Sequence, residues 1–143
     1  MIAIGGDHSA LELKAGIMAH LRERGESFKD FGTYTEESCD YPDIAKVVCR
    51  AVLSGECDRG IIICGTGIGI SITANRFKGI RAALCGDCYS AKATREHNNA
   101  NVLALGARVV GIGLACQIVD TWLDTPFSEG ERHKIRIAKM DED

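Results

Sequence analysis

The chain has 143 residues, 45% of them hydrophobic, which suffices for one globular domain with a buried core that needs neither disulfides nor metals. Its formal net charge of -3 argues against a nucleic-acid partner, because phosphate backbones attract strongly basic surfaces, and it favours a small-molecule ligand. The longest strongly apolar stretch, residues 109–123, is interrupted by Gln117 and Asp120 and is too short to cross a membrane.

Strand-like and helix-like segments alternate along the chain. Residues 1–5 form a short apolar run that ends in glycine and predicts a strand, and apolar residues follow at helical spacing from Leu11 to Leu21. The alternation continues to the last long apolar segment. It predicts strands at residues 28–31, 60–64, 80–85 and 102–105, and helices at residues 42–53, after Gly69, at 89–96 and at 110–123.

Such alternation is typical of a parallel sheet covered by helices on both faces. We expect an α/β fold, namely a single-domain three-layer α/β/α sandwich with a five-stranded parallel sheet of the Rossmann-like kind. Residues 124–130 include proline and glycine and separate the last core helix from a charged C-terminal tail at residues 131–143. We treat residues 1–143 as one domain.

Seven cysteines, an odd number, are spread over predicted strands and helices, and the first residues lack the pattern of a secretory signal. We therefore expect reduced thiols and a cytoplasmic protein. Cys85 and Cys88 have the spacing of a redox pair, but they follow a strand and no second cysteine pair accompanies them, so we assign them no role. The four histidines lack the close spacing of a metal site, and we predict no metal.

Ligands of open parallel sheets bind beyond the carboxyl ends of the strands. The most distinctive sequence at such a position is Cys64-Gly-Thr-Gly-Ile-Gly69, whose three glycines let backbone amides turn inward, next to the positive end of a helix. A dinucleotide fingerprint would need glycine where Ile70 stands, and a Walker phosphate loop would need Lys before Ser71. We therefore predict an oxyanion site without a cofactor and disfavour nucleotide binding.

Cys64 has two interpretations. A cysteine that ends a buried strand is commonly just a small hydrophobic residue. Exposed amides and a helix N-terminus, however, favour the thiolate form, which can accept a proton near neutral pH while the same amides hold an enediolate. Asp7 and His8, which follow the first strand, likewise form either a simple turn or part of a ligand site.

His97 and Asn98 lie in a helix-to-strand turn, at the edge of the sheet opposite the ligand crevice. If His97 acts at Cys64, a neighbouring subunit completes the site. Arg132 and Arg136 are four residues apart, so a helical tail would place both on one face, where two guanidinium groups can grip a phosphate. The alternative for His97 is a surface or capping residue, and the alternative for the two arginines is a solvated basic face.

Taken in order, these residues resemble the B-type ribose-5-phosphate isomerases, a family that also includes allose-6-phosphate and galactose-6-phosphate isomerases. The resemblance spans nearly the whole chain. It is carried by Gly6-Asp7-His8, Asp40-Tyr41-Pro42, Ile63 to Ser71, Glu96-His97-Asn98, Asn101-Val102-Leu103, Gly106 to Val110, and Arg132-His133.

The resemblance implies a role for each candidate residue. Cys64 would be the base that moves a proton between C2 and C1 of the sugar, with help from Thr66, and His97 with Asp7 would open the furanose ring. The amides of Gly65, Thr66, Gly67, Ile68 and Gly69 would hold the cis-enediolate. The phosphate would contact His8, Arg132 and Arg136, and the sugar would contact Tyr41, Asn98 and Arg108.

The implied reaction interconverts ribose 5-phosphate and ribulose 5-phosphate. Members without the cysteine use a glutamate in the helix after the loop, and the galactose-6-phosphate enzymes depart at the cysteine and histidine positions. Retention of Cys64 and His97 therefore favours the pentose phosphate. Alternatives are a hexose-6-phosphate isomerase such as an allose-6-phosphate isomerase, or a non-catalytic sugar-phosphate sensor. We expect a homodimer with its C-terminal tail at the interface, or a dimer of such dimers.

Overall fold

A computed structural model describes residues 1–142 and contains one sheet of five parallel strands in the order β2-β1-β3-β5-β4. The strands are β1 (Ile2–Gly6), β2 (Phe28–Asp30), β3 (Arg59–Cys64), β4 (Ala82–Leu84) and β5 (Val102–Gly106). The helices are α1 (Leu11–Glu23), α2 (Tyr41–Leu53), α3 (Ile68–Ala74), α4 (Cys88–Ala93), α5 (Ile112–Asp124) and α6 (Glu131–Met140).

The central strands are apolar on both faces because helices cover both. Successive side chains of a strand point to opposite sides, and Ile61 and Ile63 of β3 accordingly join one buried cluster while Ile62 and Cys64 join another. Helices α1, α4 and α5 contribute to the first cluster, and α2 and α3 contribute to the second. This arrangement confirms the predicted three-layer α/β/α sandwich with a five-stranded parallel sheet.

The fourth strand is shorter than predicted. Only Ala82–Leu84 of the expected 80–85 pair with β5, and β4 lies at the edge of the sheet. On its open side, the side chain of Asn75 donates to the carbonyl of Ala82 at 2.9 Å and accepts from its amide at 2.8 Å. A side-chain amide thus takes the place of a further strand at Ala82.

The helix predicted at residues 89–96 is divided. It begins at Cys88, where the Asp87 carboxylate caps the first turn, and its α-helical part ends at Ala93. A π-helical turn, Thr94–Asn98, follows and ends at Asn99, whose backbone is left-handed with φ 46°. The buried Arg95 holds this turn by donating to the carbonyl oxygens of Ala100 and Thr125.

The C-terminal tail forms the predicted helix, α6, which packs against the π-helical turn. Its His133 side chain is buried, whereas Arg132 and Arg136 are exposed. Within residues 1–142, no helix combines the length and the apolar character that a membrane span requires.

Candidate active site

The Cys64 thiol lies at the carboxyl end of β3, at the start of the glycine-rich loop that leads into α3. Its side chain is only 5% exposed, and Sγ accepts a hydrogen bond from the amide of Gly67 at 3.2 Å. The hydroxyl of Thr66 accepts a similar bond from the amide of Ile68, also at 3.2 Å. The sulfur thus lies among backbone amides at the carboxyl end of β3, where parallel sheets bind their ligands.

The loop packs directly on the end of β5, which explains its glycines. Gly67 has φ +79°, and a Cβ atom there would lie 2.5 Å from Leu84 Cδ1 and 2.9 Å from the carbonyl carbon of Leu105. A Cβ on Gly106 would lie 2.6 Å from the Thr66 carbonyl oxygen. Glycine is therefore required on both sides of this contact.

A Gly67→Ala variant is expected to lose at least about 3 kcal/mol of unfolding free energy, because it combines left-handed backbone strain with a clash against backbone atoms. Gly25→Ala is the matched control: its φ is +75°, but nothing lies within 4 Å of the added Cβ, so about 1 kcal/mol is expected. Urea denaturation of both variants measures the difference. Equal losses would mean that the loop can move away from β5.

Asp7 lies beside this loop, at the end of β1. Its amide donates to the carbonyl of Ile63 at 3.0 Å, which ties the ends of β1 and β3 together. One carboxylate oxygen, Oδ1, accepts from the amide of Ser9 at 3.0 Å and from its hydroxyl at 2.6 Å. Asp7 is 6% exposed, so a buried carboxylate lies close to the cysteine loop.

The next residue, His8, is held by a different contact. The amide of Cys39 donates to Nδ1 of its imidazole at 3.2 Å. Since Nδ1 accepts, the proton of the neutral ring is on Nε2, which can donate to a ligand oxygen. His8 is half-buried, and its phosphate contact stays a prediction.

Tyr41 and Arg108 complete the group of residues around the loop. The amide of Arg108 donates to the Gly65 carbonyl at 2.9 Å, and its guanidinium lies over Gly65, 3.2 Å from the position that a Cβ would take. Tyr41 packs against Gly69 in the same way: its hydroxyl oxygen lies 2.6 Å from the position that a Cβ on Gly69 would take. We call Cys64, its loop, Asp7, Tyr41 and Arg108 the cysteine group.

A second group of candidate residues lies around the π-helical turn. The rings of His97 and His133 stack with centroids 4.5 Å apart and an interplanar angle of 18°. Burial lowers the pKa of the His133 imidazole below its ordinary value, and nearby positive charges lower it further. Together with Arg132 these rings line a groove of ≈ 500 Å³, and we call His97, Asn98, His133, Arg132 and Arg136 the histidine group.

The two groups lie at opposite ends of the strands. Gly60 of β3 pairs with Val102 of β5, next to the turn that carries the histidine group, whereas Cys64 pairs with Gly106. Gly60 and Cys64 are four residues apart, and a strand rises about 3.3 Å per residue, so the two ends are about 13 Å apart. The structure therefore confirms that His97 is on the edge opposite the crevice, as the topology predicted.

Two residues with suggestive contacts were given no role from the sequence, although Arg132-His133 is part of the motif set. Ser9 contacts the Asp7 carboxylate, and His133 stacks on His97. Serine in a turn has no distinctive pattern, while His133 could have been found from its position next to Arg132. Among residues 1–142, no three His, Cys, Asp or Glu side chains are grouped to hold a metal ion.

Another groove, of ≈ 690 Å³, lies elsewhere, along the open side of β4. Its lining includes Arg76, Lys78 and Arg81. Of the candidate site residues, Asn98 alone lies in this lining. The Arg81 guanidinium is already bonded to the carbonyl oxygens of Asn98 and Asn99. This groove therefore does not gather the candidate side chains.

The Cys85 thiol is buried near the cysteine group, and burial together with the charge of Asp87 raises its pKa to about 11.

A parallel α/β sheet with a thiol, a buried carboxylate and a glycine loop at the carboxyl ends of its strands has its candidate side chains where proteins of this fold class bind small ligands. The family model described as Ribose/Galactose Isomerase matches residues 2–140, and the chain belongs to this family of isomerases.

Individual relatives are similar over nearly their whole length. Ribose-5-phosphate isomerase B of Escherichia coli is 54% identical over 139 residues, which are 97% of this chain and 93% of that protein. The Clostridium thermocellum ribose-5-phosphate isomerase B structure has 57% identity and a TM-score of 0.96, and the match covers 99% of this chain and 95% of that one. A Thermotoga maritima ribose 5-phosphate isomerase structure has 54% identity and a TM-score of 0.97, with 99% and 97% covered.

Proposed function

We propose that the protein is an aldose–ketose isomerase that interconverts ribose 5-phosphate and ribulose 5-phosphate through a cis-enediolate. The observation that carries this proposal is the Cys64 thiol, whose sulfur accepts the Gly67 amide at the carboxyl edge of the sheet. The similarity to ribose-5-phosphate isomerases over 97% of the chain supports the choice of substrate.

The chemistry at the cysteine group follows from its geometry. The Cys64 thiolate removes the proton from C2 of the open-chain aldose, and the negative charge moves onto the oxygen of C1 to give the enediolate. A proton passes from the C2 hydroxyl to the C1 oxygen, and the Cys64 thiol returns its proton to C1, which leaves the carbonyl at C2. Amides of the loop from Gly65 to Gly69 are fixed in place before the reaction, because the loop is packed on β5. Donors arranged in advance stabilise such a charge most effectively.

The remaining steps use groups that bind and open the sugar. Asp7 and His97 move the proton that opens the furanose ring, and Tyr41, Asn98 and Arg108 contact the sugar hydroxyls. The phosphate is held by His8, Arg132 and Arg136. The two arginines are exposed and one helical turn apart on α6, a spacing that suits bidentate contacts with phosphate oxygens.

We further propose that a homodimer brings the two groups together, with the histidine group of one chain placed on the cysteine group of the other. Around the loop, large apolar side chains are unusually exposed: Ile68 by 52%, Leu84 by 42% and Val109 by 67%. They border an apolar depression of ≈ 340 Å³ next to Thr66. Apolar surface of this kind favours burial by a partner chain.

In such a dimer α6 packs on its own chain and also supplies side chains to the site of the neighbouring chain. It belongs to the single domain of residues 1–143, because His133 is buried against the π-helical turn, and its exposed arginines face the neighbouring subunit. All seven cysteines are free thiols, which supports a reducing, cytoplasmic location.

The test is direct. The purified protein, incubated with ribose 5-phosphate, is expected to form ribulose 5-phosphate with a kcat on the order of 10 s⁻¹ or higher. In D2O, the C1 position of the product should acquire solvent deuterium, because the proton passes through an exchangeable thiol. Binding of the sugar phosphate without turnover would contradict the proposal and indicate a sensor instead.

A further inference from the structure

Ser9 makes a contact with Asp7 that its place in a turn does not require. Asp7 caps the short 3-10 turn His8–Ala10 by accepting the Ser9 amide at 3.0 Å, and this bond needs no particular side chain at position 9. The Ser9 hydroxyl adds a second bond to the same oxygen, Oδ1, at 2.6 Å. That length is typical of a hydroxyl that donates to an ionised carboxylate.

The two oxygens of the Asp7 carboxylate are therefore not equivalent. Both donors from Ser9 bind Oδ1, whereas Oδ2 accepts no hydrogen bond from any residue in the range 1–142. Asp7 as a whole is 6% exposed. Oδ2 is not among the buried polar atoms that lack a partner, so it is reachable from outside and is the atom left to meet a donor from a bound ligand.

The surroundings of the Ser9 hydroxyl point to the same place. A Cβ on Gly65 would lie 3.6 Å from Ser9 Oγ and 3.2 Å from Arg108 Nη1, so the hydroxyl, the guanidinium and the first glycine of the loop are neighbours. Rotation of the Asp7 side chain away from Ser9 would change which carboxylate oxygen faces this space. Ser9 thus fixes the carboxylate at the border of the cysteine loop.

We infer that Ser9 is a positioning residue for Asp7: it occupies Oδ1 so that Oδ2 stays directed at the sugar hydroxyl whose proton moves when the ring opens. The inference rests on the proposed function and assigns the serine to one of its steps. Because the hydroxyl acts through Asp7, its loss should slow ring opening and leave proton transfer at carbon largely intact.

The two steps can be measured separately, because ribulose 5-phosphate has no free 5-hydroxyl and cannot form a furanose ring. Exchange of its C1 proton with D2O reports proton transfer alone, whereas turnover of ribose 5-phosphate also includes ring opening. For Ser9→Ala we expect kcat from ribose 5-phosphate to fall about tenfold, and the exchange rate to fall less than about twofold. Ser9→Thr, which keeps the hydroxyl, should recover most of the loss.

Ser90→Ala is the matched control. Ser90 donates its hydroxyl to Asp87 at 2.9 Å and its amide to the same carboxylate at 2.7 Å, at the exposed start of α4. It should lower the melting temperature about as much as Ser9→Ala and leave both rates unchanged. Unchanged turnover in Ser9→Ala, or equal losses in turnover and exchange, would overturn the role of Ser9 alone. A wild-type protein with neither turnover nor exchange would overturn the proposed function and this inference with it.

Discussion

Replacing Cys64 with alanine is expected to lower kcat for ribose 5-phosphate by about a thousandfold or more, because it removes the group that accepts the C2 proton in the proposed mechanism. The thiol is held by the Gly67 amide at the end of β3, and the alanine side chain has no atom that can accept a proton there. The loop amides remain, so the variant should still bind the sugar phosphate. The exchange of the C2 proton with D2O, followed by NMR, measures the lost step directly.

Cys49→Ala provides the matched control for this experiment. Cys49 and Cys64 belong to the same buried cluster, so each substitution removes a thiol from similar packing and should reduce the unfolding free energy by about 1 kcal/mol. Burial raises the pKa of the Cys49 thiol to about 11, so it stays protonated at neutral pH. Near-normal proton exchange in Cys64→Ala would exclude Cys64 as the base.

The parts of the fold that were predicted correctly have local signals. The run Gly60-Ile-Ile-Ile-Cys64 is too apolar for an exposed strand, and the glycines after it mark a turn at the carboxyl edge, so both strand and loop follow from adjacent residues. The position of His97 needed only the order of elements, because a helix-to-strand turn precedes its strand. Both features were visible without long-range contacts.

The parts that were missed depend on residues far apart in the chain. The π-helical turn is held by Arg95, which reaches the carbonyl of Thr125, and the open side of β4 is occupied by the Asn75 side chain, which pairs with Ala82. Neither partner can be chosen from spacing alone. The role inferred for Ser9 likewise requires knowledge of which oxygen of Asp7 is occupied, which is a matter of geometry rather than of residue type.

Two inactive variants should restore activity to each other if the site is shared between copies. Cys64→Ala damages only the cysteine group, and His97→Asn damages only the histidine group and should lower kcat by about a hundredfold. A dimer that contains one chain of each kind has one site with both defects and one site with none. Random mixing makes half of the dimers mixed, so about a quarter of the wild-type kcat per site is expected.

The measurement is a titration in which the two variants are unfolded together in urea and refolded at different ratios, with maximal recovery expected at equal amounts. Cys64→Ala mixed with Asp7→Asn is the control, because both residues lie in the cysteine group and no mixed dimer then holds an intact site. No recovery in the first mixture, with both variants refolded, would contradict a site shared between copies. His97 would then take no part in the reaction at Cys64, because about 13 Å of strand separates the two groups within one chain.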